Sequence, residues 1–573
     1  MAIAAVAHDP RAPAADTKRA LGLLVAVVAL AAATARPRAG RVLPPAVLAF
    51  VGFAAWSGLT LIWGVPAGAR DLGTWVAAAG LAVVCSTQVM TEARHTAERA
   101  AVLTGSAAAA IAVAQRIGGA RGLFVHGGQG NANWLGLLLA VTLPLAIGLF
   151  VRLHREGASR ARTAAIAATL LQLVGLVLSH SRVAWAATAL AVTGLLISLV
   201  LKTSASKRRA FAALGLAVAI AIPLAVATIP DRADTHAASA PTEAEDVPVP
   251  IAWRGRLWIW RSSADAALAS LPLGAGLGGF GHAYLDAQGH RLAALEPKAA
   301  SRRFLNATTA HSDWIEILVD AGLPALALLA LTVGFGARAA ARSGWTEGAA
   351  ALAAFAICAA GDSPLRQPGL VMVLALVLAG CVDPSRTGSR LAIPPRLTPH
   401  LRLGLLLASA WLLSIAAGTW LAARRLTAAK ESLPAARRAL LASAARLDPR
   451  SGEIALERGL LDLESGDPEA ALPALRRSRA LLANVGTDVA LGNAEAQLGH
   501  HEAAVVAYRD ALRRHPGSFR AHANITQPLL ALGRIEEAAR HLTIASALWP
   551  GNPRLGEMAE QVRRARVERD AAR

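Results

Sequence analysis

The sequence predicts an all-α protein in two parts, a polytopic bundle of transmembrane helices followed by an α-solenoid. Three observations support this fold class. The 573 residues are 54% hydrophobic, with a mean hydropathy of +0.44, which is too apolar for an ordinary soluble enzyme. Long uncharged runs recur through the first three quarters of the chain. The remainder is charged, helix-forming and repetitive.

The uncharged runs predict a transmembrane domain over residues 1–425. A helix needs about 20 apolar residues to cross the hydrocarbon core, and the window rule gives about twelve spans. The first run is expected to be an uncleaved helix, not a signal peptide. The longer candidates are 42–69, 72–91, 134–151, 183–201, 210–230 and 403–423, and the shorter ones are 20–35, 100–115, 163–179, 321–337, 348–361 and 367–382.

The charge of the loops predicts which side of the membrane each occupies. Segments 152–162 and 202–209 are short and strongly basic, which places them in the cytoplasm. The long segment 231–310 has as many acidic as basic residues and is expected to be extracytoplasmic. Counting the predicted spans back from it puts the basic N-terminus outside as well, so either the first run is not a full span or one span is missing from the count.

The net charge of +20 has a simple origin in the basic loops and an arginine-rich tail. Nucleic-acid binding is not expected, because no basic stripe with interleaved aromatic residues occurs. Membrane lipids are the expected surroundings of the first domain.

The last part of the chain repeats a helical unit. Gly466, Gly499 and Gly533 begin similar segments at offsets of 33 and 34 residues. This period resembles the tetratricopeptide repeat, in which paired helices stack into a solenoid. We predict such a domain over 433–560, followed by a basic helical tail over 561–573. The resemblance implies a surface for a protein partner or for self-association; the alternative is a packing cap without a ligand.

Four motifs lie at the edges of predicted spans: "GLFVHGGQGNANWLG", "SHSRVAW", "RLWIW" with "PLGAGLGGFGHAY", and "HSDWIEILVDAGLPA". We expect them to converge on one face of the membrane. Their order resembles the O-antigen ligase and O-antigen polymerase superfamily, which includes protein O-oligosaccharyltransferase relatives, over roughly residues 40 to 390. His311, Ser312 and Gly322 fit the spacing of the closing family motif. Ala325 and Val183 depart from the residues usual in the family.

The resemblance implies a membrane glycosyltransferase of the GT-C type. Such an enzyme moves a glycan from a polyprenyl-diphosphate carrier to an acceptor hydroxyl, on a lipid or a protein, at the outer face of the bacterial inner membrane. One alternative is a polymerase that joins repeat units on the carrier. Another is a non-enzymatic transporter or assembly scaffold. No cofactor is expected, and the absence of a metal-ligand pair in the outward loops predicts metal-independent catalysis.

Residue chemistry suggests roles within that reaction. A departing diphosphate needs cations, and the guanidinium group chelates phosphate oxygens in a fixed fork. The acceptor hydroxyl needs a general base, for which imidazole titrates in a suitable range; His311 is the candidate. The candidates for diphosphate binding are Arg182, Arg256, Arg121 and Arg254, with Arg261 behind them, and those for other substrate contacts are Asn133, Trp260, Gly276, Gly278 and Ser312.

Three acids near His311 have two interpretations. Asp313, Glu316 and Asp320 share one face of the predicted helix. Acids at a helix N-terminus are stabilised by its dipole, so they are expected to be mainly helix-start residues. The second interpretation is that they orient the imidazole or the acceptor.

Overall fold

The computed structural model describes residues 43–86, 90–120, 125–201, 253–381 and 398–571. These residues form helices, turns and loops, without any strand, and the predicted all-α class is confirmed. They divide into two compact units. The first unit holds the described residues of Met1–Thr60, Ala69–Ala252 and His311–Ala423, and the second unit holds those of Leu61–Gly68, Trp253–Ala310 and Arg424–Arg573.

The helices are numbered in chain order. The first six belong to the apolar part of the chain: α1 (Pro45–Leu59), α2 (Ala69–Ser86), α3 (Met90–Ile117), α4 (Ala132–Arg155), α5 (Ser159–Ser179) and α6 (Arg182–Leu201). Three follow in the predicted extracytoplasmic segment: α7 (Trp253–Ser270), α8 (Phe280–Ala293) and α9 (Pro297–Arg303). Four more complete the apolar part: α10 (Asp313–Arg342), α11 (Thr346–Gly361), α12 (Pro368–Gly380) and α13 (Thr398–Lys430). The remainder are α14 (Pro434–Leu447), α15 (Gly452–Glu464), α16 (Pro468–Leu481), α17 (Val485–Gln497), α18 (His501–Arg514), α19 (Phe519–Asn524), α20 (Thr526–Ala531), α21 (Ile535–Leu548) and α22 (Arg554–Ala571).

Several helices of the first unit have the length and composition of membrane spans. Six of the described helices qualify, and α11 and α12 are shorter apolar helices. The chain is thus a membrane protein with several apolar helices. The count of twelve stays a prediction, and two of its runs, 20–35 and 210–230, lie outside the described residues. The six are Pro45–Ile62, Arg94–Ile117, Ala132–Arg155, Ser159–Ser179, Arg182–Leu199 and Asp313–Arg342.

Helix α10 is broken near its first third. Gly322 has φ 72° and ψ −169°, and Pro324 follows two residues later. A positive φ is easily adopted by glycine because it has no Cβ. The indole N–H of Trp56 donates to the carbonyl oxygen of Ala321 at 2.8 Å, so the break does not leave that acceptor unpaired. The glycine of the closing motif therefore ends a short helical segment that begins just after His311.

The repeats in the sequence of the second unit correspond to repeated helix caps and turns. Ser451, Asn484 and Ser518, spaced by 33 and 34 residues, each accept a backbone N–H at the start of α15, α17 and α19. Gly466, Gly499 and Gly533 adopt φ of 75°, 77° and 71° in the turns between paired helices. The repeating caps and turns produce consecutive helix pairs, as the tetratricopeptide pattern predicts.

Helices α8 and α9 belong to the second unit and pack on its helical repeats. The guanidinium of Arg514 joins Asp286 of α8 to the buried Asp488 of α17, at 2.8 and 3.0 Å. A Cβ added at Gly289 would lie 2.2 Å from the carbonyl oxygen of Arg513, so backbone meets backbone there. Burial raises the pKa of Asp488, and the two arginines facing it, Arg514 and Arg479, oppose that rise.

Candidate functional site

His311 lies immediately before α10, in a left-handed backbone conformation with φ 49°. Its Nδ1 atom is 4.0 Å from Oδ1 of Asp362, and 28% of the His311 side chain is exposed. That separation is longer than a hydrogen bond, so the carboxylate acts on the ring as a nearby negative charge. A partly open imidazole beside a buried acid is the geometry expected of a proton acceptor.

Asp362 is held rigidly at the end of α11. Its N–H donates to the carbonyl oxygen of Cys358 at 2.9 Å, and its own carbonyl oxygen accepts the N–H of Asp313 at 3.2 Å. Its Oδ1 accepts the N–H of Ser363 at 2.9 Å. Ser312, a sequence candidate for substrate binding, donates its hydroxyl to the carbonyl oxygen of Ala359 at 3.2 Å. The start of α10 is therefore fixed to the end of α11.

The motif that contains Arg182 meets the same end of α11. Arg182 is the first residue of α6 and is half-buried. A Cβ added at Gly361 would lie 2.9 Å from the Cγ2 atom of Val183, so the first turn of α6 packs on the residue that precedes Asp362. Val183 replaces the glycine that is usual in the family this motif resembles. Because Gly361 has no side chain, there is room for the larger Val183 side chain beside it.

The motif at the start of α4 joins this group. A Cβ at Gly136 would be 2.7 Å from the hydroxyl oxygen of Ser179 and from Cβ of Ser181, in the turn that leads to Arg182. Asn133 is half-buried one turn earlier on α4, and the helix is capped by Asn131, whose side chain accepts the N–H of Asn133 at 2.8 Å. Within the first unit, three of the four motifs thus come together around one helix end.

Two acids of α10, Asp313 and Glu316, contact the loop that joins α11 to α12. Asp313 Oδ2 accepts the N–H of Leu365 at 2.8 Å. Glu316 Oε1 accepts from Nε of Arg366 at 2.5 Å, and Nη1 of that arginine is 4.0 Å from Oδ2 of Asp71 on α2. All three acids of the motif are buried. Asp313 and Glu316 are more than helix-start residues, because they fasten the loop that begins with Asp362.

Sequence reasoning missed Asp362, Arg366 and Asp71. The first two lie in "GDSPLRQP", a short polar stretch between two apolar runs. A buried charged group in a membrane protein is costly unless it is paired or functional, so an acid and an arginine between two spans were the available signal. Asp71 lies in the first turn of α2 and offered no comparable pattern.

The other sequence candidates lie in the second unit or outside the described residues. Arg121 is outside them. Arg254 and Arg256 are in the first turn of α7, and Arg256 is half-buried. The indole N–H of Trp260 donates to the carbonyl oxygen of Ala310 at 3.0 Å, one residue before His311. The ligand roles of these residues stay predictions.

Gly276 and Gly278 pack against the segment that follows α1, within the second unit. A Cβ at Gly276 would lie 2.3 Å from Cα of Gly64, and one at Gly278 would lie 2.8 Å from the N atom of Gly68. The N–H of Val65 donates to the carbonyl oxygen of Leu277 at 3.0 Å. Close backbone contact therefore explains the glycines at these positions, whether or not they also contact a ligand.

We expect Gly276→Ala to destabilise the second unit by about 1–3 kcal/mol, because the new methyl group overlaps Gly64. The positive φ of 87° at Gly276 adds to the cost. The measurement is the thermal unfolding midpoint of the full chain in detergent. Gly556→Ala is the control, because nothing lies within 4 Å of a Cβ there. Equal midpoints for the two variants would show that the backbone contact is not needed.

Within the described ranges, no group of three or more His, Cys, Asp or Glu side chains is arranged to hold a metal ion. Metal-independent catalysis stays a prediction from the sequence. The three cysteines, Cys85, Cys358 and Cys381, are unpaired thiols.

The fold and the site define a polytopic helical membrane protein with a buried polar cluster and a helical-repeat domain. A protein-family model described as O-antigen ligase matches residues 167–330. The chain carries an O-antigen ligase domain, as the motif order predicted, and this supports ligase-like glycan transfer in general terms. His311 and Arg182 fall inside the matched range, whereas Asp362 and Arg366 lie beyond it.

Comparisons with curated proteins and with solved structures add little to the family match. A search of curated proteins found no significant match. Among solved structures, yeast Tom70 aligns at 12% identity with a TM-score of 0.24, covering 78% of this chain and 92% of that one. The Cut9–Hcn1 hetero-tetramer of APC/C aligns at 11% identity with a TM-score of 0.24, covering 82% and 96%. The repeat assignment therefore rests on the caps and turns of the chain itself.

Proposed function

We propose that this chain is a glycosyltransferase that moves a glycan from a polyprenyl-diphosphate carrier to an acceptor hydroxyl. The observation that carries the proposal is the His311 imidazole, partly exposed, 4.0 Å from the buried Asp362 carboxylate. The proposal draws further support from the O-antigen ligase domain in which His311 lies.

His311 is the general base in this reaction. With Nδ1 toward Asp362, the Nε2 atom is available to accept the proton of the acceptor hydroxyl. As the proton leaves, the hydroxyl oxygen bonds to the anomeric carbon of the donor sugar. The bond from that carbon to the phosphate oxygen breaks, and the carrier diphosphate leaves with the electron pair. The Asp362 carboxylate stabilises the imidazolium that forms, because opposite charges attract strongly where water is scarce.

Arginine side chains are proposed to bind the leaving diphosphate. Arg182 is supported by its position at the helix start that packs on Gly361, next to Asp362. Arg256, Arg254 and Arg121 are assigned to the donor by chemistry and by family resemblance alone. Arg182→Lys is expected to restore donor binding only in part, because lysine lacks the bidentate fork.

The reaction is proposed to occur at the outer face of the bacterial inner membrane. His311, Asp362 and the Ser179–Arg182 turn share one end of the first unit, and the opposite ends of α3 and α4 hold an ion pair between Glu98 and Arg152 at 2.6 Å. Arg152 begins the basic loop assigned to the cytoplasm. The helical repeats and α7 to α9, which form one unit, are proposed to be extracytoplasmic.

Thiol labelling tests this orientation. In a cysteine-free background, a cysteine replacing the exposed His500 is expected to react with an impermeant thiol reagent in cells with a permeabilised outer membrane. A cysteine replacing the exposed Glu156, in the basic loop, is expected to react only after the inner membrane is opened. The reverse pattern would contradict the proposed orientation.

Turnover of a defined donor tests the function itself. The purified full chain in lipid nanodiscs is supplied with an undecaprenyl-diphosphate-linked glycan and with lipid, protein or carrier-linked acceptors. Release of undecaprenyl diphosphate with growth of a lipid or protein acceptor is the expected result. Growth only of carrier-linked glycan would identify a polymerase instead. Absence of donor consumption with every acceptor would reject glycan transfer and favour a transporter or scaffold.

A further inference from the structure

The second unit carries an exposed apolar patch that neither the site nor the helical repeats explain. It consists of Ile62, Trp63, Leu268, Leu271 and Leu273, with Ile62 exposed to 79% and Leu268 to 71%. Leu271 and Leu273 flank Pro272 in the turn that leaves α7. Five large apolar side chains left exposed mark an interaction surface.

Hydrogen bonds join the two chain segments that carry the patch. The indole N–H of Trp63 donates to the carbonyl oxygen of Gly274 at 3.3 Å, which joins the two chain segments. Two residues further on, the N–H of Val65 donates to the carbonyl oxygen of Leu277. The glycine contacts described above bring the two backbones together directly behind the patch. The α7 turn is thereby clamped to residues 63–68.

Chain continuity identifies what covers the patch. The membrane span Pro45–Ile62 ends at the first residue of the patch. Ile62 and Trp63 therefore lie where a helix leaves the bilayer, the level at which tryptophan is enriched in membrane proteins. The turn containing Leu271 and Leu273 is hydrogen-bonded to Trp63 through Gly274, so we expect it to lie near the same depth.

Two tryptophans of α7 make contacts within the protein. The indoles of Trp258 and Trp260 donate to Gln288 Oε1 at 3.1 Å and to the Ala310 carbonyl oxygen at 3.0 Å, both within the second unit. Leu268, near the C-terminal end of α7, is exposed to 71%, whereas Leu257, near the N-terminal end, is exposed to 37%. The C-terminal end of α7 and the turn after it therefore carry most of the exposed apolar side chains of this region.

We propose that the patch around Leu271 and Leu273 inserts into the lipid bilayer surface and anchors the second unit to the membrane. Apolar side chains gain free energy when they enter the boundary between head groups and acyl chains. Anchoring of this kind holds the extracytoplasmic segment at the depth of a lipid-linked substrate, although the proposal does not depend on the catalytic one.

Fluorescence quenching in lipid tests the proposal. The full chain, in a cysteine-free background, is labelled with an environment-sensitive fluorophore at Leu273→Cys and reconstituted in vesicles of phosphatidylethanolamine and phosphatidylglycerol. The vesicles contain lipids with a doxyl quencher high on the acyl chain. The matched control is Val506→Cys, another exposed apolar position of the second unit, on α18. We expect blue-shifted, quenched emission at position 273 and unquenched emission at position 506.

Two results would overturn the proposal. Equal quenching at both positions would show that the patch has no special relation to lipid. Blue-shifted emission at position 273 without quenching would show that protein, such as a second copy of the chain, covers the patch. A reporter at Leu268→Cys provides a second test, because Leu271→Glu with Leu273→Glu is expected to abolish its quenching; persistence of quenching there would also reject the anchor.

Discussion

His311→Ala is expected to lower kcat by about 100-fold or more, the usual contribution of a positioned general base, while the affinity for the lipid-linked donor stays nearly unchanged. The imidazole is the proposed acceptor of that proton, and its Nδ1 atom lies 4.0 Å from the buried Asp362. Turnover and donor binding of the purified chain in nanodiscs are the measurements.

The backbone at His311 provides a sharper variant. Asparagine adopts a positive φ more readily than most residues, so His311→Asn preserves the φ of 49° while removing the base. His180 shares the same residue type and the same φ at the end of α5, which makes His180→Asn the matched control. We expect His311→Asn to lose turnover and His180→Asn to keep most of it. Normal turnover of His311→Asn or His311→Gln would show that the histidine only caps the helix.

The membrane helices could be predicted because the hydrocarbon core requires about 20 apolar residues in every span. Ten of the twelve predicted runs fall on described helices, including the short α11 and α12. The break at Gly322 was not predicted, since a glycine two residues before a proline is compatible with a helix end, a kink or a turn. Its role depends on Trp56, which is distant in sequence and supplies the hydrogen bond.

The candidate site was predictable in part, for an equally physical reason. His311 and Arg182 carry chemistry in their side chains and stand at the ends of apolar runs, so sequence singles them out. The roles of Asp313 and Glu316 depend on which backbone lies opposite them. Only the fold brings Leu365 and Arg366 there. The role of Gly276 and Gly278 could not be predicted from sequence for the same reason. Their close partners, Gly64 and Gly68, are about 200 residues away along the chain.

Arg366→Gln is expected to destabilise the first unit by about 3 kcal/mol, because it leaves the buried Glu316 carboxylate without its partner. The value is at the lower end for a buried pair, since 28% of the arginine side chain is exposed. Loss of the ion pair also frees the loop that begins at Asp362, so turnover is expected to fall. The thermal unfolding midpoint and turnover of the full chain are the measurements.

The double variant Glu316→Gln with Arg366→Gln separates the charge from the contact. Two neutral amides cost less to bury than one unpaired carboxylate and can bond to each other, so most of the lost stability is expected to return.

Arg291→Gln serves as the control, because its pair with Asp265 in the second unit is more than a third exposed on both sides. Such exposed pairs contribute about 0–1 kcal/mol. If Arg366→Gln unfolded at the same temperature as Arg291→Gln, the ion pair would not be what holds the loop. If the double variant regained stability but not turnover, the charge of Arg366 or Glu316 would be needed for the reaction itself. Recovery of both would assign the pair to positioning the Asp362 loop beside His311.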